Sequence, residues 1–169
     1  MYKRYFKRLF DIILSLILLF IFSPAMIVIF FLIWFTIRFT IFKQQRPGLN
    51  NKIFTIYKFK TLYDPLKNIS ENKRQSKIGN FLRQTGLDEL PQLFNILKNN
   101  MSLVGPRPLL VEYLKKYTRH QKKRHLVKPG ITGLSQVHPE TTGIKFWKKS
   151  FTLDIYYVKN VSLLLDVKI

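Results

Sequence analysis

The sequence contains no cysteine and very few acids. Its 169 residues include 29 lysines and arginines but only 9 aspartates and glutamates, and the formal net charge is +20. The absence of cysteine excludes a disulfide framework, a thiol nucleophile and a thiolate zinc site, and it leaves the redox compartment undetermined. The excess of positive charge predicts an anionic partner, which can be a nucleic acid, an anionic lipid surface or a phosphorylated small molecule.

Histidine is also scarce. His120, His125 and His138 lack the short His-x3-His spacing of a zinc site, and we expect all three on the surface. The length fits one domain. The fold class and the chemistry therefore depend on the apolar segment and on the few acids.

An uncharged apolar run extends from Ile12 to Ile37. A helix of this length is about 39 Å long, enough to span a bilayer. Proline interrupts helical hydrogen bonding, and Ser23-Pro24 lies near the centre of the run. Both flanks are basic, which favours placing both ends in the cytoplasm. We therefore predict a re-entrant membrane helix over residues 1–40 with a break at Ser23-Pro24, and a cytoplasmic catalytic domain over residues 41–169. The alternative is a kinked helix that spans the bilayer.

The remaining sequence predicts an α+β, mostly helical domain. Residues 40–62 alternate around a turn and predict a short β-hairpin, in which Lys58 and Lys60 share a face. Residues 64–76 are polar and predict a surface loop. Two short amphipathic interfacial helices should follow, joined near Gly86, and the basic stretch 109–127 also has a helical pattern. Asp11 is expected to pair with Arg8 one helical turn away.

Asp88 and Glu89 are adjacent acids in a chain that has few others. Carboxylates are hard ligands for Mg²⁺ and can act as nucleophiles or general bases, so the pair is a candidate catalytic site. Helix capping is an equally good explanation from residue type alone, with Thr85 or Asp88 as the N-cap. Pro91 weakens the second version because it offers no backbone N–H to a cap at Asp88.

Several cations are candidate phosphate ligands. Arg107 lies between two prolines in a rigid turn, and its planar guanidinium matches phosphate oxygens. Lys128 precedes a Pro-Gly turn, and Lys58 and Lys60 lie in the predicted hairpin. Each of them can equally be an ordinary surface cation. Aromatic residues interleaved with cations are compatible with single-stranded nucleic acid binding, but beside an apolar segment they favour interfacial anchoring.

The order of these features resembles the bacterial sugar transferases, and more narrowly the small monotopic polyprenol-phosphate phosphoglycosyl transferases. The likeness covers nearly the whole chain and is greatest for the N,N'-diacetylbacillosamine-1-phosphate transferases of Campylobacter-type protein N-glycosylation. The matching segments are Lys7-Arg8, Phe10-Asp11, Ser23-Pro24, Gln45-Arg46-Pro47-Gly48, Tyr57-Lys58-Phe59-Lys60-Thr61, residues 87–97, residues 101–108, Arg124-His125 and Pro129-Gly130-Ile131-Thr132-Gly133.

The resemblance implies specific roles. Asp88 would be the nucleophile that attacks a UDP-sugar and releases UMP, Glu89 would help to hold Mg²⁺, and Arg83 and Arg107 would contact phosphate. The acceptor would be undecaprenyl phosphate. The enzyme would lie at the cytoplasmic face of the bacterial inner membrane, as a possible homodimer and without nucleic acid. The rival hypothesis is a non-catalytic basic membrane protein that binds anionic lipid or nucleic acid.

Two departures from the family pattern stand out. Residues 136–143 replace a segment in which relatives commonly carry a Gly-Arg pair, so the identity of the sugar does not follow from this segment. Relatives usually continue for another helix beyond the position of Ile169, which leads us to consider a truncated chain.

Overall fold

The computed structural model describes residues 2, 6–63, 76–138 and 144–169, with the side chains of residues 144–146 excepted. The predicted loop 64–76 lies almost wholly outside these residues, as do positions 139–143 of the departing segment. The α+β, mostly helical fold class is confirmed. The helices are α1 Lys7–Ile37, α2 Lys77–Thr85, α3 Gln92–Leu97, α4 Leu134–Val137, α5 Ile144–Lys159 and α6 Leu163–Lys168; the strands are β1 Ile41–Pro47, β2 Ile53–Phe59, β3 Ser102–Val104 and β4 Gly130–Thr132.

The long apolar helix α1 runs without interruption through Ser23 and Pro24. This differs from the predicted break. Pro24 has no N–H for the carbonyl of Phe20, four residues earlier. The Ser23 hydroxyl donates to that same carbonyl at 2.8 Å, so the acceptor that proline leaves unpaired is satisfied within the helix. The re-entrant path remains a prediction.

Both halves of α1 pack against the rest of the chain. In the second half, Ile29, Ile33 and Ile37 form a buried cluster with residues of β2 and α2. In the first half, Leu18 and Leu19 contact a second cluster built on β2 and α3. The residues between these halves, 23–25, are exposed. By its length and composition α1 can also cross a membrane.

Polar contacts fix the N-terminal end of α1. Asp11 is buried and accepts hydrogen bonds from the Ser102 hydroxyl and the Leu103 N–H, both at 3.0 Å. Arg8 donates to the carbonyls of Ile96 and Leu97 at 2.6 and 3.1 Å, at the C-terminus of α3. The predicted pairing of Asp11 with Arg8 is therefore wrong. Backbone groups of the domain provide each side chain with a partner of the opposite polarity.

The predicted hairpin is present. Strands β1 and β2 pair antiparallel, with Ile41 opposite Phe59 and Pro47 opposite Ile53. The connecting turn places Asn50 and Asn51 at φ values of 52° and 62°. Asparagine tolerates this left-handed region better than most residues, which accounts for the Asn-Asn pair at the turn.

The two predicted amphipathic helices correspond to α2 and α3, and Gly86 ends α2 with φ of 72°. The basic stretch 109–127 instead forms two separate 3₁₀ turns, Val111–Lys115 and Gln121–Leu126. In the second turn Arg124 and His125 are buried, which corrects the prediction of a surface His125. Packing against other elements decides this local structure more strongly than helix propensity does.

Candidate active site

A cleft of about 1060 Å³ lies between the β-hairpin and the turn that carries the two acids. The structure brings six of the predicted site residues to its walls, while Lys128 lies outside it. The cleft is lined by Phe39, Ile41, Phe42, Lys43, Gln44, Arg46, Lys58, Phe59, Lys60, Thr61, Leu62, Arg83, Asp88, Glu89 and Arg107.

Asp88 and Glu89 lie in a single 3₁₀ turn, Leu87–Glu89, that joins α2 to α3. The left-handed Gly86 begins this turn and no side chain caps it. Thr85 directs its hydroxyl back to the carbonyls of Phe81 and Leu82, at 2.9 and 3.2 Å. The structure therefore assigns no capping role to Thr85 or Asp88, and the acids are free to face the cleft.

Glu89 is held by two cations. Its Oε1 accepts from Lys58 Nζ at 2.6 Å and from Arg107 Nη2 at 2.9 Å. Burial raises the pKa of the Glu89 carboxyl, but the attraction of Arg107 and Lys58 outweighs burial, and the net pKa is lowered. Glu89 is thus an ionised carboxylate that ties the hairpin to the turn after β3.

Asp88 has a different environment. Only 8% of the residue is exposed, and burial raises the pKa of its carboxyl against the opposing attraction of Lys58, while the adjacent Glu89 adds to the rise. Within the described part of the chain, the Asp88 carboxylate has no hydrogen bond that contributes to this pKa shift, which comes from burial and from neighbouring charges. A buried carboxylate with a raised pKa and surrounding cations is suited to nucleophilic attack on an anionic group.

Arg83 reaches the cleft because α2 packs closely on the end of the hairpin. Its Nε donates to the Thr61 hydroxyl at 2.9 Å. Gly79, one turn earlier in α2, lies so close to the hairpin that a Cβ atom there would be 2.1 Å from the Thr61 carbonyl oxygen. The family resemblance predicted Arg83 as a phosphate contact. Thr61 and Gly79 were not among the predicted site residues, because an uncharged residue gives no direct indication of a phosphate site.

Arg107 is oriented from behind by a buried ion pair. Arg124 Nη2 donates to the Arg107 carbonyl at 2.6 Å and lies 2.7 Å from Asp154 Oδ2. Arg124 also stacks over the Phe151 ring, with 5.3 Å between its guanidinium carbon and the ring centroid. The turn that carries Arg107 is therefore anchored to α5.

The other cations divide between the cleft and the surface. Lys60 lines the cleft, with its ammonium 4.9 Å from the centroid of the Phe39 ring. Arg46 also lines it and donates to Gln44 Oε1 at 2.5 Å. The alternation of β1 could have identified Arg46. Lys128 instead donates to the Asn99 side chain, so its predicted phosphate contact is not supported by its position.

The acid pair also bears on metal binding. Among the described residues, no group of three or more histidine, aspartate and glutamate side chains is placed to hold a metal. Mg²⁺ is commonly bound by one or two carboxylates together with substrate phosphates. Asp88 and Glu89 provide such oxygens beside a cationic cleft, so they fit Mg²⁺ bound jointly with a phosphorylated substrate.

Comparison with known proteins identifies the family. The bacterial sugar transferase family matches residues 2–169. The chain belongs to the bacterial sugar transferases. An uncharacterised sugar transferase of Bacillus subtilis is 44% identical, over 96% of this chain and 82% of that protein.

Two longer relatives have more specific names. The UDP-glucose:undecaprenyl-phosphate glucose-1-phosphate transferase of Klebsiella pneumoniae is 40% identical, over 97% of this chain and 38% of that protein. The undecaprenyl-phosphate galactose phosphotransferase of Salmonella typhimurium is 35% identical, over 99% of this chain and 39% of that protein. The chain thus spans less than half the length of these two transferases.

Proposed function

We propose that the protein transfers a sugar-1-phosphate from a UDP-sugar to undecaprenyl phosphate and releases UMP. One observation carries the proposal: the buried Asp88 carboxylate lies in an open cleft whose walls also carry Lys58, Arg83 and Arg107. The name of the Klebsiella pneumoniae relative supports a UDP-sugar donor, and the names of both longer relatives support undecaprenyl phosphate as the acceptor. Such a transfer would be the first membrane step of glycoconjugate assembly.

In the first step Asp88 attacks the phosphorus that carries the sugar. A bond forms between the Asp88 carboxylate and phosphorus, the phosphoanhydride bond breaks, and UMP leaves with its electrons. Arg83, Arg107 and Lys60 line the cleft and would neutralise the phosphate oxygens during the attack. Without these cations the carboxylate and the diphosphate would repel each other.

In the second step an oxygen of polyprenyl phosphate attacks the phosphorus of the aspartyl phosphosugar. A phosphoanhydride bond to the lipid forms as the bond to Asp88 breaks, and the carboxylate is regenerated. Both steps use the same cations. The cleft must therefore open both to water, from which the nucleotide arrives, and to the membrane, from which the lipid arrives.

Glu89 is the proposed Mg²⁺ ligand. When bound, Mg²⁺ would neutralise developing negative charge on the transferred phosphate. Glu89 Oε1 already accepts from Lys58 and Arg107, so these cations would orient the carboxylate for a metal shared with the substrate. Asp88 would then stay available for the attack.

We propose an N-acetylated UDP-hexose, such as UDP-N,N'-diacetylbacillosamine, as the donor. This choice rests on the resemblance described above, whereas the two longer relatives are named for glucose and galactose. A screen of these UDP-sugars with Mg²⁺ and undecaprenyl phosphate, scored by UMP release, tests it. Faster turnover of UDP-glucose or UDP-galactose would contradict the proposed sugar.

The proposed location is the cytoplasmic face of the bacterial inner membrane. Residues in both halves of α1 pack on the same charged domain. A bilayer-spanning helix would place its ends on opposite sides, and the domain could not contact both halves without entering the apolar region. A re-entrant α1 allows both sets of contacts. The proposed lipid partner would then reach the cleft from the membrane side.

The covalent step can be tested without the lipid acceptor. Protein mixed with Mg²⁺ and the UDP-sugar selected by the screen should release an amount of UMP that is limited by the amount of enzyme. The protein should also gain the mass of one phosphosugar. Asp88→Asn should abolish both signals. Glu112→Gln is the matched control, because Glu112 is an exposed acid outside the cleft.

The outcomes separate the two function classes. UMP release that requires the acceptor, with no adduct on the protein, would exclude the covalent route and favour Asp88 as a general base. An absence of turnover with every UDP-sugar, together with retained binding to anionic vesicles, would favour the non-catalytic alternative.

A further inference from the structure

A second hollow lies beside the cleft and is almost entirely apolar. Its volume is about 600 Å³. One wall is the second half of α1, another is the β-hairpin, and the floor is the start and outer face of α3. The groove is lined by Met26, Ile27, Phe30, Phe31, Ile41, Lys43, Tyr57, Phe59, Pro91, Phe94 and Lys98.

The β-hairpin separates the groove from the cleft. Successive side chains of a strand point to opposite faces. Lys58 in β2 and Lys60 just after it line the cleft, whereas Tyr57 lines the groove and Phe59 borders both hollows. The same alternation holds in β1, where Gln44 and Arg46 line the cleft only. The polar and apolar hollows are thus two faces of one hairpin.

The two hollows meet at the end of the hairpin nearest α1. Ile41 and Phe59 are paired across the strands there, and both residues line both hollows. Lys43 also borders both. An elongated ligand can therefore place one end in the cleft and pass around this edge into the groove.

Two lysines give the groove a cationic rim. Lys98 Nζ lies 3.3 Å from the Tyr57 hydroxyl and 4.7 Å from the centroid of its ring. Lys43 stands opposite Tyr57 across the strands. A ligand that fits these surfaces has an apolar chain and an anionic head.

We propose that the groove binds the isoprenoid chain of the polyprenyl phosphate acceptor, with its phosphate in the cleft beside Asp88. This inference rests on the proposed transfer reaction. Continuity between groove and cleft favours the acceptor over a bulk phospholipid, because only the acceptor needs its head group at the nucleophile. The groove-lining residues of α1, Ile27, Phe30 and Phe31, extend the apolar surface toward the membrane.

Phenylalanine truncations test the groove against matched controls. Phe94 and Phe31 line it and are 46% and 53% exposed, so Phe94→Ala and Phe31→Ala should leave the fold intact. Each should raise the KM for undecaprenyl phosphate about tenfold through lost apolar contact. Phe81→Ala and Phe35→Ala are the controls, because these residues are also exposed, at 57% and 82%, and lie outside both hollows.

The acceptor-free release of UMP provides the internal reference. Loss of this release in proportion to the loss of transfer would assign the effect to the cleft and would overturn the groove proposal. An equal rise in KM in the control variants would also overturn it, because general membrane contact would then explain the result.

A labelling experiment keeps the inference separate from the transfer reaction. A photoreactive undecaprenyl phosphate with a diazirine on an isoprene unit near the phosphate should label peptides of α1 and α3 that line the groove. Excess undecaprenyl phosphate should compete, and excess phosphatidylglycerol should not. Labelling in a protein with no turnover would support the groove and reject the proposed reaction. Labelling elsewhere, or equal competition by phosphatidylglycerol, would reject the groove as the acceptor site.

Discussion

Arg124 donates a hydrogen bond of 2.6 Å to the backbone carbonyl of Arg107. This contact joins a buried ion pair to the turn that carries a cleft cation, since the same Arg124 guanidinium lies 2.7 Å from Asp154. The position of Arg107 against Glu89 is thereby set partly by α5, although none of the described side chains of α5 lines the cleft.

Replacing Arg124 with lysine tests this relationship. Lysine keeps the charge but cannot reproduce the planar fork that contacts Asp154 and the Arg107 carbonyl together. We expect a stability loss of about 1–3 kcal/mol and a rise in KM for the UDP-sugar, measured by thermal unfolding and steady-state kinetics. Arg119→Lys is the control at an exposed position. A loss of stability with unchanged KM would restrict Arg124 to a structural role.

Gly79 provides a second prediction. A Cβ atom at this position would overlap the Thr61 carbonyl oxygen, so Gly79→Ala should push α2 away from the hairpin. We expect a loss of about 1–3 kcal/mol from overpacking, together with weaker UDP-sugar binding because Arg83 loses its contact with Thr61. Asn80→Ala, at an exposed position of the same helix, should retain both properties. Normal binding by Gly79→Ala would show that Arg83 does not depend on this packing.

The raised pKa of Asp88 predicts a dependence of stability on pH. A carboxyl whose pKa is higher in the folded chain than in the unfolded chain costs stability once the pH exceeds both pKa values. Below the unfolded value of about 3.9 the carboxyl is protonated in both states, and this cost is absent. Asp88→Asn should therefore raise the Tm at about pH 7. The gain should shrink as the pH falls toward the unfolded pKa. A lower Tm at neutral pH would mean that attraction to Lys58, Arg83 and Arg107 outweighs burial.

The path of α1 can be tested by labelling, and the absence of native cysteine removes any background. Single cysteines at Lys3 and at Asn50 should both react only from the cytoplasmic side if α1 is re-entrant. Replacing Ser23 with alanine and Pro24 with leucine should favour a straight spanning helix and should move the N-terminal label to the opposite side. Opposite-side labelling of the native sequence would establish a spanning helix.

The sequence predicted the elements whose patterns are local. The hairpin follows from two-residue alternation and turn residues, and the join between α2 and α3 follows from Gly86. Six of the residues that line the cleft were also predicted, from an uncommon acid pair, from cations in the hairpin and in a proline-rich turn, and from family resemblance. Only the folded structure shows that these residues lie close together, because Lys58 and Arg107 approach Glu89 from distant parts of the chain.

The errors have a common physical cause. Asp11 and His125 were interpreted from neighbouring residues or from composition, but their surroundings come from other elements. Asp11 is held by β3. Burial lowers the pKa of His125 to about 4, an effect that no local sequence pattern encodes. Tertiary contacts therefore decided the outcome at these positions.

The register of the hairpin has a consequence for how such a protein can diverge. A slip of one residue in the pairing of β2 would exchange the two faces of this strand, turning Tyr57 toward the acids and Lys58 toward the apolar groove. The positive charge of the cleft and the apolar character of the groove would be lost together. A substitution within β1 or β2 can change one face of the hairpin and leave the other unchanged. A single insertion or deletion within β2 would disrupt both faces.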